Sequence, residues 1–241
     1  MVTWRSVIRT LYSRFLLVIA VVLGLPFIIL MMVLPEKRRY QNRFLFWGIK
    51  LFYKFVIKAS FVPISFEGME NIPQDPVIFV ANHQSSLDIP LVGYIVRGKP
   101  HIWLARIELM QWKLLRWVLP RLSVVVDTGS KEKAMRSMIN LLRLVEGKNI
   151  DIMIFPEGAR FTDGKVHPFF GGFVVLAKML KRKVIPVYIS GANKVYPPNT
   201  FWVQYYPINV VIGTPYMLQA DESDEAFKER VYQWFIAQSK G

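Results

Sequence analysis

One histidine in this chain is placed for proton transfer. His83 stands in the run Asn82, His83, Gln84, Ser85, Ser86, Leu87, Asp88, directly after the apolar stretch 77–81. A carboxylate bonded to one imidazole nitrogen sets the tautomer and stabilises the imidazolium, so the other nitrogen can take a proton from a hydroxyl. Residues five apart diverge by about 140° on one helix. His83 and Asp88 therefore meet only if the chain turns between them, with Asp88 near the start of the next helix and Pro90 in its first turn. Taken alone, the pair fits equally a structural histidine beside a helix-capping aspartate. A second apolar stretch, 152–155, runs into Pro156, Glu157, Gly158, Ala159 and Arg160. Arginine can hold a phosphate with two parallel hydrogen bonds, and glycine lets a ligand approach the backbone. In isolation this pentapeptide also fits a turn closed by a Glu157–Arg160 ion pair.

The pattern around these residues predicts the frame that holds them. Short apolar or β-branched runs at 77–81, 102–105, 123–126, 152–155 and 184–189 read as buried strands. Helical periodicity marks 109–119, 130–145 and 171–180, with Gly147 after one helix as its terminating glycine and Pro168 ahead of another. Residues 202–206 and 208–212 read as late edge strands and 223–238 as a terminal helix. Strands alternating with helices predict an α/β fold, a mostly parallel sheet flanked by helices. The carboxyl ends of such strands are where sites form, and both candidate clusters fall there.

Composition adds a lipid-facing part. Hydrophobic residues make up 53% of the 241, high for a wholly soluble chain. Residues 15–34 are twenty residues without a charge, with Arg5, Arg9 and Arg14 before them and Lys37, Arg38 and Arg39 after. That length suits a bilayer span, and it exceeds the apolar region of a signal peptide. Basic flanks on both sides favour instead a segment that enters one leaflet and returns, bending near Gly24 and Pro26, with the rest of the chain on the cytoplasmic face of a bacterial inner membrane. Over 40–58 the cations Arg39, Arg43, Lys50, Lys54 and Lys58 recur on one helical face, as in a helix lying in the interface. The division is a membrane-associated two-helix segment, 1–62, and a catalytic domain, 63–241. The net charge of +14, from 31 Lys and Arg against 17 Asp and Glu, calls for an anionic partner such as phospholipid headgroups, nucleic acid or an acidic carrier protein. No nucleic-acid-binding motif is present, which disfavours the second. With no Cys, thiolate chemistry is excluded; His83, His101 and His167 lack metal-ligand spacing, so no metal is expected.

Together the two clusters resemble the glycerolipid acyltransferases, which include the 1-acylglycerol-3-phosphate acyltransferases. Residues 82–88 match the N-H-x-x-x-x-D motif and 155–160 resemble F-P-E-G-T-R, in the same order and with similar separation. Val184, Ile185, Pro186 and Val187 are similar to the family's apolar fourth block, and Ala105, Arg106, Ile107, Glu108 and Leu109 to its A-K-x-E-L run. The resemblance covers about 63–216. It implies direct acyl transfer from a CoA or acyl-carrier-protein thioester to lysophosphatidic acid, without other cofactor or metal. It also implies His83 as base, Asp88 as its partner, and Glu157, Gly158, Arg160 and Arg106 at the substrate. Two positions depart from the pattern. Thr128 stands where the second block has Arg, leaving Arg106, Lys131 or Lys133 to replace it, and Ala159 stands for Thr. The acceptor headgroup is therefore open, with glycerol 3-phosphate or another lysophospholipid as alternatives. Oxyanion donors are expected from backbone N–H groups near 82–86 or from Gly158. Ser85 and Ser86 suggest a Ser-His-Asp hydrolase, but no G-x-S-x-G elbow accompanies them. A non-catalytic monotopic scaffold is the third reading.

Overall fold

A computed structural model describes residues 4–111, 113–197 and 200–240. The elements run α1 (Trp4–Val33), α2 (Glu36–Arg39), α3 (Arg43–Lys58), β1 (Ile64–Glu67), β2 (Ile78–Ala81), α4 (Asp88–Ile95), β3 (His101–Arg106), α5 (Lys113–Leu122), β4 (Ser123–Val126), α6 (Lys131–Val145), β5 (Asp151–Ile154), α7 (Gly172–Leu180), β6 (Val184–Ser190), α8 (Ala192–Val195), β7 (Ile208–Ile212) and α9 (Asp224–Lys240). The sheet has strand order β1-β7-β6-β2-β5-β3-β4. β6, β2, β5, β3 and β4 run parallel, while β7 lies antiparallel to β6 and carries β1 parallel to itself. This is the mostly parallel, helix-flanked α/β fold that the strand and helix alternation predicts.

The central strand shows why. Every residue of β2 is buried, and alternate side chains enter two different cores. Phe79 and Ala81 pack with α3 and α4 residues such as Val56 and Leu91; Ile78 and Val80 pack with Leu141, Phe173 and Phe227 from α6, α7 and α9. A period of two with both faces covered accepts only apolar residues, hence the uninterrupted run. Where the ladder ends, Asn82 replaces it: its amide donates to Ile189 O at 2.9 Å and accepts from Ile189 N–H at 2.7 Å.

Several expectations need correction. Residues 202–206 form no strand; Val203 N–H donates to Thr10 Oγ1 and Arg14 Nη2 to Phe201 O, so this stretch pairs with α1 rather than with the sheet. β7 is no edge strand, because β1, a four-residue strand with alternating burial, covers it. The helix expected over 109–119 is split into a 3-10 turn, Ile107–Gln111, and α5. Arg39 does not share the cationic face of α3: it lies in α2, buried, donating to Leu34 O and Arg121 O.

The largest revision concerns the amino terminus. α1 begins at Trp4 and continues unbroken through Gly24 and Pro26, so the chain does not reverse within the apolar run. The reversal falls after it, at Leu34 and α2, and α3 then packs back on α1. Close approach is enabled by glycine: a Cβ on Gly48 of α3 would overlap the Phe27 ring of α1. Along α1 the buried side chains are Ser6, Thr10, Ser13, Ala20, Gly24 and Met31, a narrow stripe of mostly small residues. The opposite face exposes large apolar groups such as Trp4, Phe15, Val22 and Ile29, continued by Phe44 and Trp47 of α3 and by Trp117. A stripe of this kind marks a surface meant for an apolar medium, and the helix points to membrane association.

Candidate active site

β2 and β5 are neighbours in register, with Ile78 opposite Ile152 and Val80 opposite Ile154. Their carboxyl ends therefore deliver His83 and residues 156–160 side by side, although 74 residues separate His83 from Glu157 in the chain. Beyond His83 the chain turns, as anticipated, and Asp88 opens α4 with Pro90 in the first turn. His83 Nδ1 donates to Asp88 Oδ2 at 2.8 Å. The same oxygen accepts the N–H groups of Gln84 at 2.6 Å and Ser85 at 2.7 Å, while Oδ1 is buried without a protein partner. An ionised carboxylate only accepts, so Nδ1 carries the proton and the neutral imidazole presents a lone pair at Nε2. Behind the imidazole the Phe155 ring stacks at 4.0 Å and 13°, and Trp103 stacks on Phe155 at 5.4 Å.

The backbone of His83 is held as firmly as its ring. Its N–H donates to Glu157 Oε1 at 2.8 Å, and its carbonyl accepts Phe161 N–H at 2.9 Å. Glu157 is only 3% exposed, and its second oxygen accepts His167 N–H at 3.0 Å. Burial pushes the Glu157 carboxyl up, against the lowering effect of these two N–H donors. Arg106, at the end of β3, donates through Nη1 to Gly158 O at 2.8 Å and through Nε and Nη2 to Glu108. Arg160 is exposed and, among the described residues, joins no ion pair, so the Glu157–Arg160 turn is not formed. Thr128 is exposed beyond β4, Lys133 lies 3.5 Å from Asp127, and the Lys131 side chain lies outside the described residues.

His83 faces a cavity of about 820 Å³. Its walls come from Phe27 and Met31 of α1, Phe52 of α3, Leu104 of β3 and Leu119 of α5, and Arg106 and residues 158–160 also line it. Sequence reasoning found the dyad and the arginines but missed Phe155 as the ring behind His83, Phe161 as a backbone partner, and the contribution of the amino-terminal helices. Phe155, last in its strand run, carried a usable signal; Phe161 carried none, because only its N–H takes part. The N–H groups of His83, Gln84 and Ser85 are taken by carboxylates and that of Leu87 by Ser85 Oγ, which leaves little of the 82–86 turn for an oxyanion. Gly158 N–H donates to Phe155 O. No hydrogen bond joins Ser85 or Ser86 to His83 among the described residues, which disfavours the hydrolase reading. No group of three or more His, Asp or Glu among the described residues could hold a metal ion.

A carboxylate-held imidazole at the end of one parallel strand, beside an arginine-bearing loop on the next strand and an apolar cavity, is suited to taking a proton from the hydroxyl of an anionic lipid. Residues 63–190, more than half of the chain, match the family model described as Acyltransferase, and the chain belongs to that family. Among curated relatives, the chloroplastic 1-acyl-sn-glycerol-3-phosphate acyltransferase of Brassica napus is 26% identical over 84% of this chain and 57% of its own length. The 1-acyl-sn-glycerol-3-phosphate acyltransferase of Pseudomonas aeruginosa is 27% identical over 82% of this chain and 75% of its own. The chain thus spans little more than half of the plant relatives it matches. The crystal structure of the 1-acyl-sn-glycerophosphate acyltransferase PlsC of Thermotoga maritima superposes with a TM-score of 0.77 and 26% identity, covering 98% of this chain and 95% of that one.

Proposed function

We propose that the chain transfers an acyl group from a thioester to the sn-2 hydroxyl of 1-acyl-sn-glycerol 3-phosphate, giving phosphatidic acid. His83 Nε2 takes the hydroxyl proton as the oxygen attacks the thioester carbonyl, and Asp88 stabilises the imidazolium. The tetrahedral intermediate then expels the thiolate, which recovers the proton from His83. With the N–H groups of His83, Gln84 and Ser85 taken by carboxylates, the oxyanion is assigned to the N–H groups of Ala159 and Arg160, with that of Ser86 as the turn's remaining donor. Arg160 and Arg106 hold the acceptor phosphate, and Gly158, with φ +69°, shapes the loop that brings them to it. The donor is an acyl-CoA or acyl-carrier-protein thioester, and its chain lies in the apolar cavity. The observation that carries the reading is the juxtaposition of a carboxylate-oriented imidazole, an apolar cavity and an exposed arginine. Purified protein is to be given lysophosphatidic acid, other lysophospholipids, glycerol 3-phosphate and monoacylglycerol with either donor, and products identified by mass spectrometry. Equal acylation of monoacylglycerol would remove the phosphate-binding role, and absence of any ester would remove the reaction.

The proposed placement is monotopic, on the cytoplasmic face, with 1–62 as the lipid-contacting segment and 63–241 as the catalytic domain. α1 has 30 residues, about 45 Å of helix, longer than the ~30 Å hydrocarbon core. Its amino-terminal part bonds to Phe201 and Val203, and Arg121 reaches Met32 O at its far end. A helix held to the same domain at both ends fits an in-plane position better than a crossing. Arg5 and Gln41 are exposed at the two ends of the segment, so single Arg5→Cys and Gln41→Cys variants in the cysteine-free chain report the topology. Both should resist a membrane-impermeant thiol reagent until cells are permeabilised; labelling of one alone in intact cells establishes a span.

A further inference from the structure

We infer that Glu157 is a positioning residue: its carboxylate sets the place of His83 relative to the 158–167 loop and does not touch substrate. Its oxygens are each committed to a backbone donor, His83 N–H at 2.8 Å and His167 N–H at 3.0 Å. The cavity is lined by Phe155, Gly158, Ala159 and Arg160 but not by Glu157, which is 3% exposed. The loop it holds is braced within itself, since His167 stacks on Phe161 at 3.6 Å and bonds to Asp163 at 2.9 Å. Phe161 N–H then returns to His83 O. His83 is thus held at both its N–H and its C=O by one loop, above the point where the β2–β5 ladder stops at Val80 and Ile154. The same loop carries Arg160, so the grip sets base and phosphate ligand in one frame. A carboxylate is the side chain that can do this, because both oxygens accept; an amide has one acceptor oxygen and turns its NH₂ toward the other N–H.

This inference rests on the acyl-transfer reading. The test compares wild type, Glu157→Gln and Glu157→Asp in the acyltransfer assay, with kcat and both KM values measured per folded molecule and Tm measured alongside. Displacement of a base by an ångström lowers turnover by ~10²-fold, so Glu157→Gln should lose about that in kcat, with acceptor and donor KM within ~2-fold. Glu157→Asp, one methylene short of bridging both donors, should fall in the same direction, and serves if the Gln variant does not fold. Acceptor KM raised ~10-fold or more at unchanged kcat would make Glu157 a substrate ligand and overturn the inference. So would a lower Tm with unchanged kcat, no change in any constant, or failure of both variants to fold, since each leaves only a structural role. Wild-type protein that forms no phosphatidic acid would defeat the reaction instead, a distinct result.

Discussion

Asp88→Asn isolates what the carboxylate charge contributes. Asp88 Oδ2 collects three donors within 2.8 Å, from His83, Gln84 and Ser85. An asparagine can place its carbonyl oxygen there and keep all three contacts, so the turn should persist. Hydrogen bonds to a charged acceptor exceed neutral ones by roughly 1 kcal/mol each, so the loss amounts to about 2–3 kcal/mol. The new NH₂ occupies the position of Oδ1, buried without a partner, while removal of a buried charge offsets part of the cost. For a domain of this size that corresponds to a Tm lower by roughly 5–10 °C. The larger effect is on turnover: an amide carbonyl still accepts from Nδ1–H, but being neutral it does not stabilise the imidazolium, and kcat should fall by ~10²–10⁴-fold. Neither KM should move by more than ~2-fold, because Asp88 lies behind His83 and away from substrate. The assay is steady-state acyl transfer with thermal unfolding in the same detergent. A folded variant retaining more than roughly a tenth of wild-type kcat would refute the imidazolium argument.

Three further expectations follow from single contacts. Arg160 is exposed and joins no ion pair among the described residues, so Arg160→Lys should leave Tm unchanged but raise acceptor KM ~10-fold through loss of the bidentate fork; an unchanged acceptor KM would move the phosphate to Arg106. Gly158 holds φ +69°, and a Cβ there would meet the Phe170 ring at 2.7 Å. Gly158→Ala should therefore cost about 1–2 kcal/mol and lower kcat by displacing Ala159 and Arg160, whereas wild-type kcat would exclude this loop from catalysis. Burial holds His101 down to about 4 and pushes Asp151 up to about 6. The His101 contribution is intact above its unfolded pKa and is lost as pH falls from 6.5 toward about 4, by about 3 kcal/mol. Asp151 acts oppositely, with stability returning as pH falls from about 6 toward 3.8, by a similar ~3 kcal/mol. Asp151→Asn removes that compensation, so its Tm should fall more steeply than wild type between pH 6.5 and 4.5; parallel profiles would contradict the opposing pair.

The sequence by itself determined the components: His83 and Glu157 stand just beyond short apolar, β-branched runs that read as buried strands, with Asp88 and Arg160 a few residues further on. Alternation in β2 and the turn that joins Asp88 to His83 follow from local physics, as does the basic, apolar amino terminus. Strand order is another matter. That β5 pairs with β2 depends on which crossovers bury the most surface, and this decides that Glu157 reaches the His83 peptide at all. The same non-local packing made β7 an interior strand under β1, and gave residues 202–206 to α1 through Thr10 and Arg14. It also left α1 helical through Gly24 and Pro26, with α3 and residues 201–203 against one side and Gly48 admitting Phe27. Backbone N–H groups have no letter in a sequence. Which of them bind carboxylates was settled only when two loops 74 residues apart closed on one histidine.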